Sequence, residues 1–294
     1  MEIKYIRHLL PEAKEYLLSR GEEPDLPLKT LPKFNDFVFG VPRKALTVIG
    51  ARTSEGKSSF ATQIAYDLAM QDKTVLFLSL EMSNDKVMTR LLCHSQRFNN
   101  IKAFRGGLKK EMGVWDRFSA SIQDKPLIIN DMLGKQWEDI DEIVETTDIH
   151  PACIIVDYIQ TIAKQIGKNQ LDIINEYIRH FREMAIRRDF AGIICSQINR
   201  SAQDSDNPRP RLHHLKSSGF LEEHADMVFL LSYPYKTGHK DKNKFTVYVD
   251  KNRDGQTGYI DLNFLPEYYL FEDAVEKKES QNVIAEFKPK DWQE

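Results

Sequence analysis

Residues 51–58 combine the residue types that bind the phosphates of a nucleotide. The stretch reads ARTSEGKS and places a glycine, a lysine and a hydroxyl side chain in succession at Gly56, Lys57 and Ser58. A loop of this kind turns successive backbone N–H groups, and the N-terminus of the following helix, toward phosphate oxygens. Gly56 permits the close approach of the backbone, Lys57 reaches the outer phosphates, and the Ser58 hydroxyl holds magnesium. The sequence therefore predicts a site for a nucleoside triphosphate.

The flanks of this stretch match a strand–loop–helix arrangement. An apolar run at residues 46–49 precedes it, and a helical pattern over residues 60–70 follows it. Ala51 replaces the first glycine of the usual pattern, and an ordinary Gly-Lys turn at a helix start is the alternative interpretation. The residues that we expect to contact the nucleotide are Thr53, Ser54, Glu55, Gly56, Lys57, Ser58 and Ser59.

Three polar side chains directly follow apolar runs further along the chain. They are Glu81, Asp157 and Gln197. Ligands of an open α/β sheet bind at the carboxyl ends of its strands, so these side chains are candidates for the same site. An acid there orders magnesium or activates an attacking water, and an amide can sense the outer phosphate. Each also has a structural alternative. Glu81 could simply favour the N-terminus of a following helix, Asp157 could cap a helix, and Gln197 could make an ordinary loop hydrogen bond.

The composition is that of a globular protein without a strong charge. The chain has 294 residues, of which 41% are hydrophobic and 29% charged, enough for one large domain or two small ones. Its net charge of -3 gives no overall attraction to nucleic acid, so such binding needs a locally basic surface or a channel. The widely spaced Cys93, Cys153 and Cys195 favour buried thiols in a reducing compartment. No apolar run has membrane-spanning length and the N-terminus lacks a signal-peptide core, so we expect a soluble, cytoplasmic protein with no membrane partner.

Beyond residue 45, short β-rich runs alternate with helical patterns. This alternation predicts an α/β fold, a mostly parallel sheet with helices on both faces. The predicted parallel strands cover residues 46–49, 74–80, 127–130, 152–157 and 192–196. Apolar residues recur at helical spacing over residues 170–188, which predicts an amphipathic helix. Four later runs separated by short turns predict antiparallel strands at the C-terminal edge of the sheet: residues 226–231, 245–249, 259–264 and 268–271.

The two ends of the chain have a different character. Residues 11–21 predict a short helix with proline in its first turn and a glycine at its end. Residues 22–42 carry four prolines and little periodicity, which predicts an extended connection. The charged, weakly patterned stretch from residue 274 predicts a tail. We therefore predict an N-terminal helix and connection (1–42), an α/β domain (43–273) and a C-terminal tail (274–294).

The order of these motifs resembles that of the RecA-type motor domain of DnaB-type replicative helicases. The segments that carry the resemblance are ARTSEGKS, SLEMS, IIVDYIQ and SQINRS, and the similarity extends from about residue 31 to residue 271. An alanine commonly opens the phosphate loop in that family, so Ala51 fits it. The resemblance implies a RecA-like fold and an ATP-dependent, ring-forming DNA helicase that uses Mg2+.

The resemblance also implies a role for each residue of the predicted site. Lys57 and Ser58 would bind phosphate and magnesium, and Asp157 would support the metal. Glu81 would activate the attacking water, and Gln197 would sense the γ-phosphate. These roles agree with those inferred from the residues themselves.

Lys251 and Arg253 match a K-x-R element of the family. The resemblance implies that they complete the site of the neighbouring subunit, with an arginine finger acting in trans. In related nucleotide hydrolases such a finger contributes about 10³ to 10⁵ in rate, so an isolated subunit would be nearly inactive. The alternative is a solvated basic turn.

For DNA, the resemblance implies a loop that holds a single strand along the central channel of the ring. The matching positions here are Arg200, Lys216, Ser217 and Gly219. Lysine replaces the arginine of the family at residue 216, and the acid of the family loop is missing, which puts pairing between adjacent loops in doubt. We expect the flanking stretch, residues 201–212, to be mobile until DNA binds, and the alternative is an ordinary surface loop.

The implied partners are further copies of this chain, most simply in a hexamer, and single-stranded DNA at a replication fork. A loader, a primase or a polymerase is a further implied partner. The helix at residues 11–21 resembles the family element that docks on the adjacent subunit, and Phe287 and Trp292 of the tail are candidates for recruiting a partner. Two rival functions share the fold: a recombinase or recombination mediator, and a loader or regulator that binds ATP without hydrolysing it.

Overall fold

The computed structural model describes residues 5–19, 24–135, 137–146, 149–159, 170–198, 209–215 and 218–274. Within these ranges the chain forms a nine-stranded sheet with helices on both faces, which confirms the predicted α/β class. None of the helices in these ranges has the length and apolar character that a membrane span requires. The three cysteines are buried free thiols, as predicted.

The elements alternate along the chain as the sequence predicts. The strands are β1 (Ala45–Ala51), β2 (Val75–Ser79), β3 (Leu127–Asp131), β4 (Cys153–Asp157), β5 (Ala191–Gln197), β6 (Met227–Ser232), β7 (Lys244–Asn252), β8 (Gly258–Leu265) and β9 (Leu270–Asp273). The helices are α1 (Ile6–Ser19), α2 (Pro32–Val38), α3 (Lys57–Met70), α4 (Asn84–Gln96), α5 (Asn100–Phe104), α6 (Met112–Ile122), α7 (Trp137–Thr146), α8 (Gln170–Arg188) and α9 (Ser218–His224). Single 3-10 turns cover Gly107–Lys110, Leu212–His214 and Pro234–Thr237.

The sheet order is β3-β2-β4-β5-β1-β6-β7-β8-β9. The strands from β3 to β6 are parallel, and β7, β8 and β9 are antiparallel. The prediction that residues 226–231 are antiparallel at the edge is therefore wrong for β6, which pairs in parallel with β1. The chain has already turned back at Leu215, which pairs antiparallel with Ile198, and α9 follows before β6. The later strands are joined by connections without an α-helix.

Side chains alternate between the two faces of the sheet and build two hydrophobic cores. Ile49 and Ile155 face one core, which α2, α3, α4 and α6 cover. Val48 and Val156 face the other core, which α7, α8 and α9 cover. Burial on both faces explains why the parallel strands are continuous apolar runs with no polar side of their own.

The amphipathic helix predicted over residues 170–188 is α8, with the same bounds. Its predicted apolar face, including Ile174, Phe181 and Met184, is buried against the sheet. The helix predicted from residue 11 starts earlier, because α1 begins at Ile6 and carries Pro11 inside it.

The predicted extended connection at residues 22–42 differs from the structure. Residues 32–38 form α2, with Pro32 in its first turn, where the missing N–H is tolerated. The Phe34 ring contacts those of Phe60 and Phe229, with centroids 5.6 and 5.2 Å apart. Asp67 accepts hydrogen bonds from both the backbone and the hydroxyl of Thr30. This segment thus packs into the main core, while the domain bounds at 42–43 and 273–274 stay predictions.

The buried His94 on α4 should make the free energy of unfolding depend on pH. Its ring is buried 5.0 Å from that of Tyr66, and burial lowers its pKa from 6.5 to about 4. Between pH 6.5 and 4, His94 is protonated in the unfolded chain but stays neutral in the folded chain. The folded state therefore loses stability relative to the unfolded state as the pH falls through this range. The expected loss reaches about 3 kcal/mol of unfolding free energy. Urea unfolding between pH 7 and 4 should show a shallower loss for His94→Gln, whereas exposed His150→Gln should follow the parent chain.

Candidate active site

The predicted phosphate loop connects the central strand β1 to α3. Gly56 caps α3 with φ 82° and ψ 5°, and Ser54 also has a positive φ of 64°. Glycine favours this conformation, and a Cβ on Gly56 would lie 3.1 Å from the Phe271 ring, a tight contact. The first N–H groups of a helix have no partner within it, and those of α3 lie at the end of the sheet where the predicted site residues converge.

Lys57 and Asp157 form a buried ion pair at the centre of the site. Lys57 Nζ lies 3.0 Å from Asp157 Oδ1 and 4.2 Å from the centroid of the Tyr158 ring. Burial acts to lower the pKa of Lys57, but attraction to Asp157 and its hydrogen bond, together with Cys195 and Glu81, raise this pKa above its ordinary value. Lys57 is therefore a fixed cation beside the phosphate loop.

The residues predicted to hold magnesium fit a hard cation. Asp157 is fully buried, and its Oδ2 accepts no hydrogen bond from the side chains and backbone that the structure describes. A buried carboxylate oxygen without a donor is costly unless a cation satisfies it. Ser58 and Lys57, the ion-pair partner of Asp157, line a pocket beside the phosphate loop, and Mg2+ prefers such oxygen ligands together with phosphate and water.

Glu81 and Gln197 reach the pocket from the ends of β2 and β5, which lie on either side of β4. The turn before Glu81 is fixed by bonds from Leu80 N to Asp157 O (2.7 Å) and from Met82 N to Ser79 Oγ (3.0 Å). Gln197 pairs with Ala51 in the sheet, and its Nε2 donates to Thr53 Oγ1 at 2.6 Å. The structure thus brings Glu81, Asp157 and Gln197 together around the loop.

A buried ion pair lies within the loop itself. Arg52 Nη1 is 3.7 Å from Glu55 Oε1, and both side chains are almost fully buried. Burial raises the pKa of Glu55 to about 7 against the opposing attraction of Arg52. The loop therefore carries less negative charge near neutral pH than its sequence suggests, which favours an anion beside it.

The pocket has further walls that motif analysis missed. Its volume is 890 Å³, and it is also lined by Arg90, Tyr233, Lys236 and Tyr269. Arg90 donates to Ser59 Oγ at 2.9 Å, and its guanidinium stacks 4.4 Å from the centroid of the Tyr269 ring. These residues lie on α4 and in turns between late strands, where no local pattern marks them. A cation stacked on an aromatic ring offers a planar surface beside the phosphates.

Lys251 and Arg253 lie at the other end of the sheet. The Asp226 N–H bonds to Leu46 O at 2.8 Å, and Arg253 Nη1 lies 3.2 Å from Asp226 Oδ1. The phosphate loop starts five residues after Leu46, about 17 Å along an extended strand. Neither cation can therefore act on a nucleotide in its own subunit's pocket.

The predicted DNA contacts are only partly visible. Arg200, Lys216 and Ser217 lie outside the described residues. Gly219 lies in the first turn of α9, where a Cβ would meet no atom of the described chain within 4 Å. The tail residues Phe287 and Trp292 also fall outside the described ranges.

Comparison with known proteins identifies the family. The family model of the DnaB-like helicase C terminal domain matches residues 29–273. The chain belongs to this family. It is 28% identical over 249 residues to the replicative DNA helicase DnaB of Geobacillus stearothermophilus, covering 79% of this chain and 53% of that protein. It is 31% identical over 258 residues to DnaB of Buchnera aphidicola subsp. Baizongia pistaciae, covering 84% of this chain and 55% of that protein.

Solved DnaB-like structures share the fold. The structure of a DnaB-like replicative helicase and its interactions with primase aligns with a TM-score of 0.81 and 25% identity, over 92% of this chain and 69% of that one. The ATPase domain of G40P aligns with the same score and identity, over 93% of this chain and 100% of that domain. These likenesses confirm the RecA-like fold and a nucleotide-using domain. This DnaB-like chain spans about half the length of the curated relatives it matches.

Proposed function

We propose that this chain is the ATP-driven motor of a ring-forming replicative DNA helicase that moves along single-stranded DNA and unwinds duplex. The observation that carries the proposal is the separation of two sets of groups within one DnaB-like fold. The phosphate loop with Lys57, Asp157 and Gln197 lies at one end of the sheet, and Arg253 lies at the other. Such a chain needs a second copy to complete its site. Relatives named replicative DNA helicase support the same conclusion.

Each group of the pocket has a proposed task in hydrolysis. Lys57 and the loop amides bind the outer phosphates, while Ser58 and Asp157 hold Mg2+, which neutralises phosphate charge when bound. Glu81 orients the attacking water and accepts its proton. Gln197 hydrogen-bonds either the γ-phosphate or Thr53, so its contact reports the loss of that phosphate. The other proposed nucleotide contacts are Thr53, Ser54, Glu55, Gly56 and Ser59.

The ring is proposed to be a hexamer in which Lys251 and Arg253 of one subunit contact the nucleotide of the next. Helix α1 provides a second contact between copies, as its resemblance to the family's docking element suggests. It exposes Leu17 and Leu18, and Phe104 on α5 and Trp115 on α6 are exposed as well. Apolar faces of this kind are stabilised by burial against each other, at roughly 25 cal/mol per Å² of apolar surface.

The α1 contact predicts a separable effect on assembly. Leu17→Glu should raise the protein concentration needed for ring formation by about 10-fold or more, because fully burying a leucine contributes about 1.5–3 kcal/mol. The monomer should keep its melting temperature, since Leu17 is exposed there. Lys14→Glu adds an acid to the same helix and should change assembly far less. Sedimentation velocity measures the difference, and equal behaviour of the two variants would remove α1 from the interface.

The DNA contact is proposed to lie at the N-terminus of α9 and in the loop before it. Arg200, Lys216, Ser217 and Gly219 would hold the backbone of one strand in the ring's channel. Because the net charge is only -3, this local contact rather than overall charge would govern binding. Binding should weaken with salt, with a logarithmic slope of about -0.7 for each phosphate neutralised.

Further partners follow from the replicative role. One structural neighbour is a DnaB-like replicative helicase that was studied together with its interactions with primase. We infer that a primase, a loader or a polymerase also contacts this protein. A motor acting on replicating DNA would work in the compartment that holds the DNA, which is the cytoplasm of a cell without a nucleus.

The direct test is unwinding of a forked DNA duplex with ATP and Mg2+. We expect strand separation that requires a single-stranded tail and stops with a non-hydrolysable ATP analogue. Lys216→Ala should retain DNA-free ATP hydrolysis and lose DNA stimulation. Filaments that exchange strands without unwinding, or ATP binding without hydrolysis in the presence of DNA, would overturn the proposal.

A further inference from the structure

Asp226 lies where three segments of the chain meet. Its Oδ2 accepts hydrogen bonds from Leu46 N (2.9 Å) and Arg182 Nε (3.1 Å), and its Oδ1 accepts one from Arg182 Nη2 at 3.0 Å. The same Oδ1 lies 3.2 Å from Arg253 Nη1. The backbone of Asp226 is fixed as well, by bonds with Leu46 O and from Arg253 N. The carboxylate is therefore an anchor that joins the start of β1, helix α8 and the K-x-R element.

Arg253 is held on two sides without being buried. Its Nη2 donates to Glu223 O at 2.7 Å, and the side chain of Lys251 approaches the same carbonyl at 3.5 Å. The Arg253 side chain is 44% exposed, whereas that of Asp226 is only 12% exposed. A largely buried anion thus orients a guanidinium that is partly exposed at the surface. An arginine side chain has many rotamers, and ordering it costs conformational entropy. Because Arg253 is already ordered in the single subunit, association with a second copy does not carry this entropy cost.

We propose that Asp226 is a positioning residue for the trans-acting cation, which it holds in the orientation that reaches the neighbouring subunit's nucleotide. This inference rests on the proposed role of Arg253 in the ring. Arg182 takes both carboxylate oxygens in a two-pronged pairing, so the carboxylate keeps its plane while Arg253 engages a phosphate. Lys251 is brought beside Arg253 by the shared Glu223 carbonyl.

Asp226→Asn tests the charge while keeping the size of the side chain. We expect kcat of the assembled ring to fall on the order of 10- to 100-fold, the range that a misplaced catalytic group produces. The KM for ATP should stay within about twofold, because the subunit's own pocket lies at the opposite end of the sheet. A general loss of structure would instead raise KM and lower the melting temperature together.

The decisive comparison is a double variant. If Asp226 acts only through Arg253, Asp226→Asn combined with Arg253→Ala should hydrolyse ATP no more slowly than Arg253→Ala alone. Retention of ADP with aluminium fluoride, which needs a completed interface, should fall in both single variants and no further in the double variant. If the rate losses of the two single variants multiplied in the double variant, Asp226 would have a separate structural role and the inference would be overturned.

Arg182→Gln gives a second route if Asp226→Asn does not assemble. It removes the two-pronged support of Asp226, and its kcat loss should likewise vanish in the Arg253→Ala background. An unchanged kcat in both Asp226→Asn and Arg182→Gln would overturn the positioning role and leave the trans role standing. If Arg253→Ala kept the activity of the parent chain, the proposed trans role of Arg253 would itself be contradicted.

Discussion

Lys57→Ala should lose both ATP binding and hydrolysis, whereas Glu81→Gln should lose hydrolysis alone. In the proposed mechanism Lys57 contributes a fixed charge to the outer phosphates. A hydrogen bond to a charged group contributes about 1.5–3 kcal/mol, so its removal should lower the affinity roughly 10- to 100-fold. Its removal also leaves Asp157 buried without its cation, so the variant's melting temperature should be checked. Glu81 is exposed at the pocket and touches only the water in the proposed mechanism. Glu81→Gln should therefore lower kcat about 10²- to 10⁴-fold at unchanged affinity.

Titration calorimetry with a non-hydrolysable ATP analogue separates the two variants. Lys86→Ala is the matched control, because Lys86 lines the same pocket without being part of the phosphate loop. Its affinity should stay close to that of the parent chain. Equal nucleotide affinity for Lys57→Ala and Glu81→Gln would contradict the assigned roles.

Mixed rings should recover activity that neither parent variant has. Arg253→Ala subunits keep an intact pocket, and Glu81→Gln subunits keep an intact trans cation. When one of each is adjacent, one complete site forms. Because such a cation contributes about 10³ to 10⁵ in rate, even a few complete sites should stand far above the background.

The measurement is ATP hydrolysis against the mixing ratio at constant total protein. We expect a maximum near equal amounts. As a control, Lys57→Ala mixed with Glu81→Gln should stay inactive, since both variants damage the pocket rather than the trans cation. A flat line for the Arg253→Ala mixture would show that Arg253 does not act across subunits.

Local patterns predicted the parts of the site that lie at the ends of strands. Asp157 and Gln197 each terminate an apolar run, and a parallel sheet brings such ends together whatever the intervening sequence. The bounds of α8 were also predictable, because its apolar face repeats at helical spacing through residues 170–188. In both cases the pattern of apolar residues within a short stretch of sequence determines the structure.

Other features depend on contacts between distant segments. Arg90 meets Tyr269, and Phe34 meets Phe229, only after the sheet has formed. The prolines of residues 24–42 indicated a connection, yet Pro32 starts a helix whose apolar side fills the core. The parallel pairing of β6 likewise reflects the return of the chain between β5 and β6 rather than the composition of the strand.

The concentration dependence of ATP hydrolysis tests the central claim most directly. Mass photometry at each concentration would give the fraction of subunits in rings while hydrolysis per subunit is measured, with single-stranded DNA and Mg2+ present. We predict that the rate per subunit follows the ring fraction and approaches zero for monomers. A dilute monomer that hydrolyses ATP at the full rate, with or without DNA, would contradict an active site shared between adjacent copies.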